Sequence, residues 1–330
     1  MRSLVTGGAG FIGGHVAREC LSLGHEVVAL DDLSGGFPDN VPADATFVQG
    51  SVTDHALLEQ LFTRHRFDYV YHLAAYAAEG LSHFIRRFNY MNNVIGSVNL
   101  INEAVRHDVK CFVFTSSIAV YGSGEPPFDE TQQPVPEDPY GIAKLAVEQD
   151  LESAHRLLGL DFVVFRPHNV YGEGQNIGDP YRNVVGIFMN RMMQGQSATI
   201  FGDGRQTRAF TYIGDIAPQI ASSVHVPEAM NGVFNIGCDS HASVLEVAEL
   251  VRHELGASAP IEFLPPRQEA VHAYSRHDKF RRVFGGRPDT PLAEGIRRMT
   301  AWARARGPRK NTGFKTLEIS KNVPSIWRPS

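Results

Sequence analysis

Leu4-Val5-Thr6-Gly7-Gly8-Ala9-Gly10-Phe11-Ile12-Gly13-Gly14 is the stretch whose reading decides the fold. Leu4 and Val5 read as a short buried strand, and past the glycines Ile12, Val16, Ala17 and Leu21 recur at helical spacing. The order is strand, tight turn, helix. Gly7 lets the backbone turn, Gly10 keeps a Cβ out of the way of a diphosphate, and Gly13 lets the helix press onto the strand. The helix start offers free N–H groups and a partial positive charge to phosphates. Gly7, Gly10, Phe11, Ile12 and Gly13 are therefore expected dinucleotide contacts. His25-Glu26-Val27-Val28-Ala29-Leu30-Asp31 reads as the next strand. Its terminal acid suits the adenosine ribose hydroxyls and repels a 2′-phosphate, which points to NAD rather than NADP. Asp32 is grouped with it, and neither Arg2 nor Arg18 is placed to reverse the preference.

Outward from this unit the first half alternates strand and helix, the pattern of an α/β Rossmann-type, doubly wound parallel sheet. Strands are expected at 2–6, 27–31, 46–49, 69–73, 111–116 and 161–166, with helices at 11–23, 54–65, 91–107 and 140–158. Residues 32–44 form a polar loop at the adenosine end. Ser51 and Val52 follow the third strand and should lie against adenine, while Asp54 reads as a helix cap. Leu73-Ala74-Ala75 ends the fourth strand in residues small enough to leave room for a cofactor. Residues 76–84 read as a loop reaching toward substrate.

The fifth strand runs into Thr115-Ser116-Ser117, hydroxyls placed where this class of sheet binds ligands. Glu137-Asp138-Pro139-Tyr140 opens a helix, with Asp138 as N-cap and Pro139 as first helical residue. Tyr140 and Lys144 then lie one turn apart on one face. An ammonium ~5 Å from a phenol, at an effective dielectric near 20, favours the phenolate by roughly 3 kcal/mol, about two pK units. An oxidised nicotinamide adds positive charge in the same place, and tyrosine can thereby become a general base near neutral pH.

Composition bounds the rest. The 330 residues are 43% hydrophobic and 20% charged, with net charge −5, an ordinary globular balance that suggests neither nucleic-acid nor anionic-membrane binding. Cys20, Cys111 and Cys238 have no pairing or metal spacing and read as free thiols. His168, His272 and His277 lack ligand spacing with other donors, so polar lining or surface is expected and no metal. No apolar run is long enough to cross a membrane, and residue 4 already belongs to a strand, so a cytoplasmic protein without a signal peptide is expected.

With these features the sequence resembles the extended short-chain dehydrogenase/reductases, and among them the nucleotide-sugar epimerases of the UDP-galactose 4-epimerase type. The resemblance covers residues 1 to 305 or so. It rests on the glycine turn, Thr115-Ser116-Ser117-x-x-Val120-Tyr121-Gly122, Tyr140-x-x-x-Lys144, Arg166-Pro167-His168-Asn169-Val170-Tyr171-Gly172, and Phe201-Gly202-Asp203-Gly204 leading to Arg208-Ala209-Phe210-x-Tyr212-Ile213-x-Asp215. It implies that Tyr140 is the base, that Ser117 binds the sugar 4-hydroxyl, and that Lys144 binds the nicotinamide ribose. Asn93, Thr115 and Pro167 join the expected cofactor contacts. Tyr76, Asn169, Arg208 and Arg267 would hold the substrate, with Thr199 and Phe201 bordering its base. The implied activity is NAD-dependent 4-epimerisation of a nucleotide sugar, a UDP-hexose first, through a 4-keto intermediate. The alternatives are a nucleotide-sugar reductase or dehydrogenase, and a catalytically silent NAD sensor. Ile118 and Ala119 stand where dehydratases and decarboxylases of the family carry acids. The resemblance also implies a homodimer.

Two lobes are expected: a NAD-binding part from 1–168 and 211–239, and a substrate part from 169–210 and 240–308. Helices are read at 183–193, 215–225, 244–255 and 291–304, with a strand at 233–237 rejoining the large sheet. Residues 309–330 lie outside the resemblance. Phe314, Leu317, Ile319, Val323, Ile326 and Trp327 suggest a tail that docks on its own body or a partner, a disordered tail being the alternative.

Overall fold

The structure is a computed structural model that describes residues 1–266, 271–286, 288–310, 314, 316–324 and 327. Its first six strands are β1 (Arg2–Thr6), β2 (Glu26–Asp31), β3 (Thr46–Gln49), β4 (Tyr69–His72), β5 (Cys111–Thr115) and β6 (Phe162–Pro167). The intervening helices are α1 (Phe11–Ser22), α2 (His55–His65), the short α3 (Glu79–Ser82) and α4 (Arg86–Tyr90), α5 (Gly96–Arg106) and α6 (Pro139–Leu158). Later come β7 (Val170–Tyr171), α7 (Val184–Met193), β8 (Ala198–Phe201), β9 (Thr207–Ala209), β10 (Thr211–Tyr212), α8 (Ile213–Ser222) and β11 (Gly232–Ile236). The last are β12 (His241–Ser243), α9 (Val244–Leu255), β13 (Ile261–Leu264), β14 (His272–Ala273), α10 (Asp278–Phe284) and α11 (Leu292–Arg306).

Seven strands form one sheet in the order β11-β6-β5-β4-β1-β2-β3, with every pairing parallel. The strands are apolar because both faces are covered. Leu4, Val70, Phe112 and Phe114 pack under Leu58, Phe62, Leu100 and Leu151 on one side. Val5, Tyr71, Val113 and Phe165 pack under Val16, Ile216 and Ile220 on the other. Chain order reverses between β1 and β4, and ligands of such sheets bind at the carboxyl ends beside that reversal. The doubly wound architecture is the one expected, and β11 rejoins the sheet beside β6 as read.

Helix starts follow the capping chemistry. Asp54 Oδ1 accepts from Leu57 N (3.1 Å) ahead of α2. Asp138 Oδ1 accepts from Tyr140 N (2.9 Å) and Gly141 N (3.0 Å) ahead of α6. Local departures are small. A π turn over Met91–Ile95 precedes α5, the loop after β4 holds the single turn of α3, and α8 begins at Ile213 rather than Asp215.

Downstream, β10 pairs with β7, β12 and β14 flank β9, and β13 pairs with β8. Phe188, Val247 and Ile296 there continue the apolar cluster of Val5 and Val16. The described residues of the tail pack on the chain's own body, and Ile326 lies outside the described residues. Val323 and Trp327 are buried with Ala78, Leu81 and Ile85, and Phe314 sets its edge against Tyr76 and Phe88. The Glu318 carboxylate accepts from Arg87 N (2.7 Å) and Phe88 N (2.8 Å) at the start of α4. Cys20, Cys111 and Cys238 are buried free thiols. Among the described residues no helix is long and apolar enough to cross a membrane.

Candidate active site

The cap and Pro139 fix where α6 begins, so Tyr140 and Lys144 face the ends of β5 and β6. Lys144 Nζ donates to the Thr115 carbonyl (2.7 Å). It lies 4.6 Å from the centre of the Phe114 ring and 5.7 Å from that of Tyr140. The Ser117 oxygen accepts from Ala119 N (3.1 Å), and its hydroxyl lies near enough to the Tyr140 phenol to favour the ionised form. Tyr140, Lys144 and Ser117 are all buried. The three residues read as catalytic from sequence are thus brought together.

Their electrostatics correct one expectation. Burial pulls the Lys144 ammonium down to about 7, with Glu148 opposing. Burial, then the charges of Glu79 and Asp138, push the phenol well up; Ser117 and Arg182 pull it down by less. Desolvation disfavours both charged forms, so the amine by itself does not make the phenol acidic.

One turn along α6 the charges are matched. Arg166 Nε donates to Glu148 Oε1 (3.0 Å) and its Nη2 to Oε2, and Ser116 Oγ donates to the same carboxylate. Arg166 Nη1 reaches Tyr121 Oη (2.8 Å), which donates to Asn235 Oδ1 (2.9 Å). This buried network ties α6 to the ends of β5, β6 and β11. Glu148 stands four residues beyond Lys144, a same-face spacing that could have revealed it.

The dinucleotide crevice is built at the other side of the reversal. Gly7 has φ +70°, and a Cβ there would lie 2.8 Å from Ala74 N. A Cβ on Gly13 would collide with the Gly7 carbonyl, and no side chain caps α1. Phe11 and Ile12 open that helix. This uncapped cradle of small residues fits the diphosphate of NAD. Asp31 is nearly buried, and its carboxylate accepts from Ala9 N (3.1 Å) and Leu33 N (2.8 Å); burial raises its pKa, with those amides opposing. Asp32 Oδ1 accepts from Ser34 N (2.9 Å). Ser51 Oγ pairs with Thr53 Oγ1 (2.8 Å), and the Val52 side chain packs on Gly96. Leu73, Ala74 and Ala75 follow β4 beside Gly7, and Pro167 ends β6. Asn93 has a different use: Oδ1 takes Tyr76 N (2.9 Å), while Nδ2 gives to Tyr76 O (3.2 Å) and Asn89 Oδ1 (2.8 Å). It holds the Tyr76 loop in place.

The substrate residues are more scattered. Tyr76 lies beneath Arg182, whose guanidinium carbon is 4.7 Å from the ring centre. Asn169, at φ +37°, donates Nδ2 to Ala209 O (3.1 Å), next to Arg208. Arg208 Nη1 donates to Thr207 O (2.8 Å) and Val271 O (3.1 Å) along its own small sheet. Thr199 and Phe201 stand on β8, in register with Glu262 and Leu264 of β13. Arg267 lies outside the described residues.

Sequence reasoning missed Glu79 and Arg182 beside the phenol. Arg182 sits in an irregular segment and Glu79 opens a single helical turn, both too short of periodicity to signal orientation. It also misplaced two histidines as lining or surface. His168 and His277 are buried, their Nε2 atoms 2.9 Å apart, and His277 Nδ1 is 2.7 Å from Asp239 Oδ1. Burial lowers their pKa values to about 3 and about 4.

Known proteins with this architecture agree with the geometry. The model of the NAD-dependent epimerase/dehydratase family matches residues 3–237. A UDP-glucose 4-epimerase of Halalkalibacterium halodurans is 34% identical over 312 residues, 89% of this chain and 92% of its own. The crystal structure of Thermotoga maritima UDP-glucose 4-epimerase with UDP-glucose superposes with TM-score 0.86 at 35% identity, covering 93% and 99% of the two chains. That of Thermus thermophilus UDP-glucose 4-epimerase with NAD gives 0.85 at 32%, covering 92% and 99%. At 29% identity over 92% of this chain and 98% of its own, a relative from Bacillus cytotoxicus is a UDP-N-acetyl-alpha-D-glucosaminuronate decarboxylase.

Proposed function

The chain belongs to the NAD-dependent epimerase/dehydratase family, and on that premise we propose that it inverts C4 of a nucleotide sugar, a UDP-hexose first. The observation that carries this reading is the Ser117–Tyr140–Lys144 cluster at the mouth of an NAD crevice. NAD, when bound, supplies the acceptor that takes the C4 hydride and returns it, along with a positive ring in its oxidised form. The chain's residues handle the proton. Tyr140 removes it from the 4-hydroxyl, and Ser117 holds that oxygen in line. Lys144 anchors the nicotinamide ribose and fixes the phenol's position. The 4-keto sugar turns about its diphosphate, with Asn169 and Arg208 as diphosphate contacts, and Tyr140 returns the proton. Ile118 and Ala119 place no acid beside Ser117, which favours epimerisation over elimination or decarboxylation. Exposed Met91, Ile95 and Ile142 on and beside α5 and α6 support pairing of two copies through those helices.

The test is purified protein with UDP-, GDP-, CDP- and dTDP-sugars, products read by mass and NMR. The expected result is a 4-epimer without net absorbance change at 340 nm. Tyr140→Phe should lower turnover about 10²- to 10⁴-fold. Stoichiometric NADH formation or consumption would instead establish a dehydrogenase or reductase.

A further inference from the structure

The glycine turn binds phosphate with backbone alone. Gly7 to Gly14 contains no charged side chain, while the diphosphate of a dinucleotide carries two negative charges. A helix N-terminus offsets about half of one charge. A cation from elsewhere in the fold would complete the site.

The segment between β7 and α7 supplies one. It is fastened across the NAD-binding side at successive points. His15 Nε2, in α1, lies 2.8 Å from Glu173 O. Asn40 Nδ2 bridges Gly174 O (2.9 Å) and Ala9 O (3.1 Å). Asn176 Nδ2 donates to Gly35 O (3.3 Å). These contacts carry the segment over the glycine turn, because the neighbouring Gly36 is so near it that a Cβ there would lie 2.9 Å from Gly10 N.

Arg182 ends this crossing. Its Nη2 is 2.9 Å from where a Cβ on Gly35 would be. Its Nε donates to Asp179 Oδ2 (2.7 Å), and Asp179 is buried with Oδ1 on Tyr181 N (2.9 Å). Its planar face rests on Tyr76, just past the small residues at the end of β4. The guanidinium is thus held between the loop over the diphosphate turn and the loop beside the nicotinamide end. Its planar fork of donors suits phosphate oxygens.

We propose that Arg182, aligned by Asp179 and supported on Tyr76, is a clamp on the diphosphate of the bound dinucleotide, and that residues 173–182 latch the cofactor in its crevice.

The experiment measures ligand binding directly, apart from activity. Arg182→Gln and Arg182→Lys would be freed of cofactor and titrated calorimetrically with NAD, ADP-ribose and adenosine. Arg182→Gln should weaken NAD and ADP-ribose about ten- to hundred-fold and leave adenosine within about twofold. Arg182→Lys should fall between Arg182→Gln and the native protein. NAD co-purifying with the native protein should be lost from Arg182→Gln on gel filtration. Unchanged NAD and ADP-ribose affinity overturns the proposal. If a nucleotide sugar alone binds ten-fold more weakly, the clamp serves the substrate's diphosphate and the proposal is again overturned. Equal weakening of all three cofactor ligands, adenosine included, would mark a general collapse of the crevice and likewise overturns it. Each of these outcomes is independent of which reaction the site performs.

Discussion

Helix α6 carries two buried polar pairs, and they are built on opposite terms. Near its start, Tyr140 and Lys144 are buried with no ion-pair partner of their own among the described residues: the phenol is pushed up and the ammonium down to about 7. One turn further on, Glu148 meets Arg166 through two parallel hydrogen bonds, with Ser116 on the same carboxylate. The second pair is electrically closed and holds three strand ends to the helix. The first is left open. Burying groups whose charges are not matched costs stability, and it persists where a ligand is to supply the missing charge. The frame is finished by the polypeptide, and the proposed reacting centre would be finished by what it binds.

The strongest challenge to this contrast is to open the closed pair. Arg166→Ala leaves Glu148 buried and unpaired and should cost about 3–5 kcal/mol, read by chemical denaturation. A loss under 1 kcal/mol would mean the pair is no frame. The converse substitution, Lys144→Met, should raise stability while lowering activity. The folded pKa of Lys144 lies below its unfolded value, so the unfolded chain binds more protons between about pH 7 and 10.5 and native stability rises with pH across that window. The gain from Lys144→Met should therefore reach up to about 4 kcal/mol near pH 7 and vanish near pH 10.5. A gain that does not depend on pH would break the assignment.

His168 and His277 form a third buried pair, hydrogen-bonded yet neutral. Their folded pKa values of about 3 and about 4 lie below the unfolded one. Their contribution is complete above about pH 6.5 and lost as pH falls toward 4. The limiting slope is about 1.4 kcal/mol per pH unit for each ring. Denaturation midpoints from pH 7 to 4.5 should steepen accordingly, and His277→Gln should flatten the curve. The smallest effect is expected at the periphery: Trp327→Ala should destabilise the 76–88 segment by about 1–2 kcal/mol, seen as faster amide exchange there and little change in the sheet.

Much of the fold was legible because its signals are local. A parallel strand buried on both faces must be largely apolar, as residues 111–114 and 162–165 are, and Asp138 supplies the cap that marks a helix start. The Tyr140–Lys144 spacing was legible for the same reason, since one helical turn sets it. Arg182, Glu79 and the partnership of His168 with His277 were not, because each depends on how segments distant in sequence cross. The acidity of the phenol was misjudged through distance alone. Coulomb attraction scales with separation, but desolvation depends on what surrounds the pair, and that is a property of the folded interior.

The carboxyl-terminal strap has a consequence for synthesis. Glu318 reaches back over 231 residues to the amide of Arg87, and Trp327 closes over Gly80. A ribosome delivers these partners long after the sheet strands from Arg2 to Pro167 have emerged. The nascent chain can assemble those strands first and complete the wall beneath Tyr76 only afterwards, so newly made molecules should hold dinucleotide before they acquire activity.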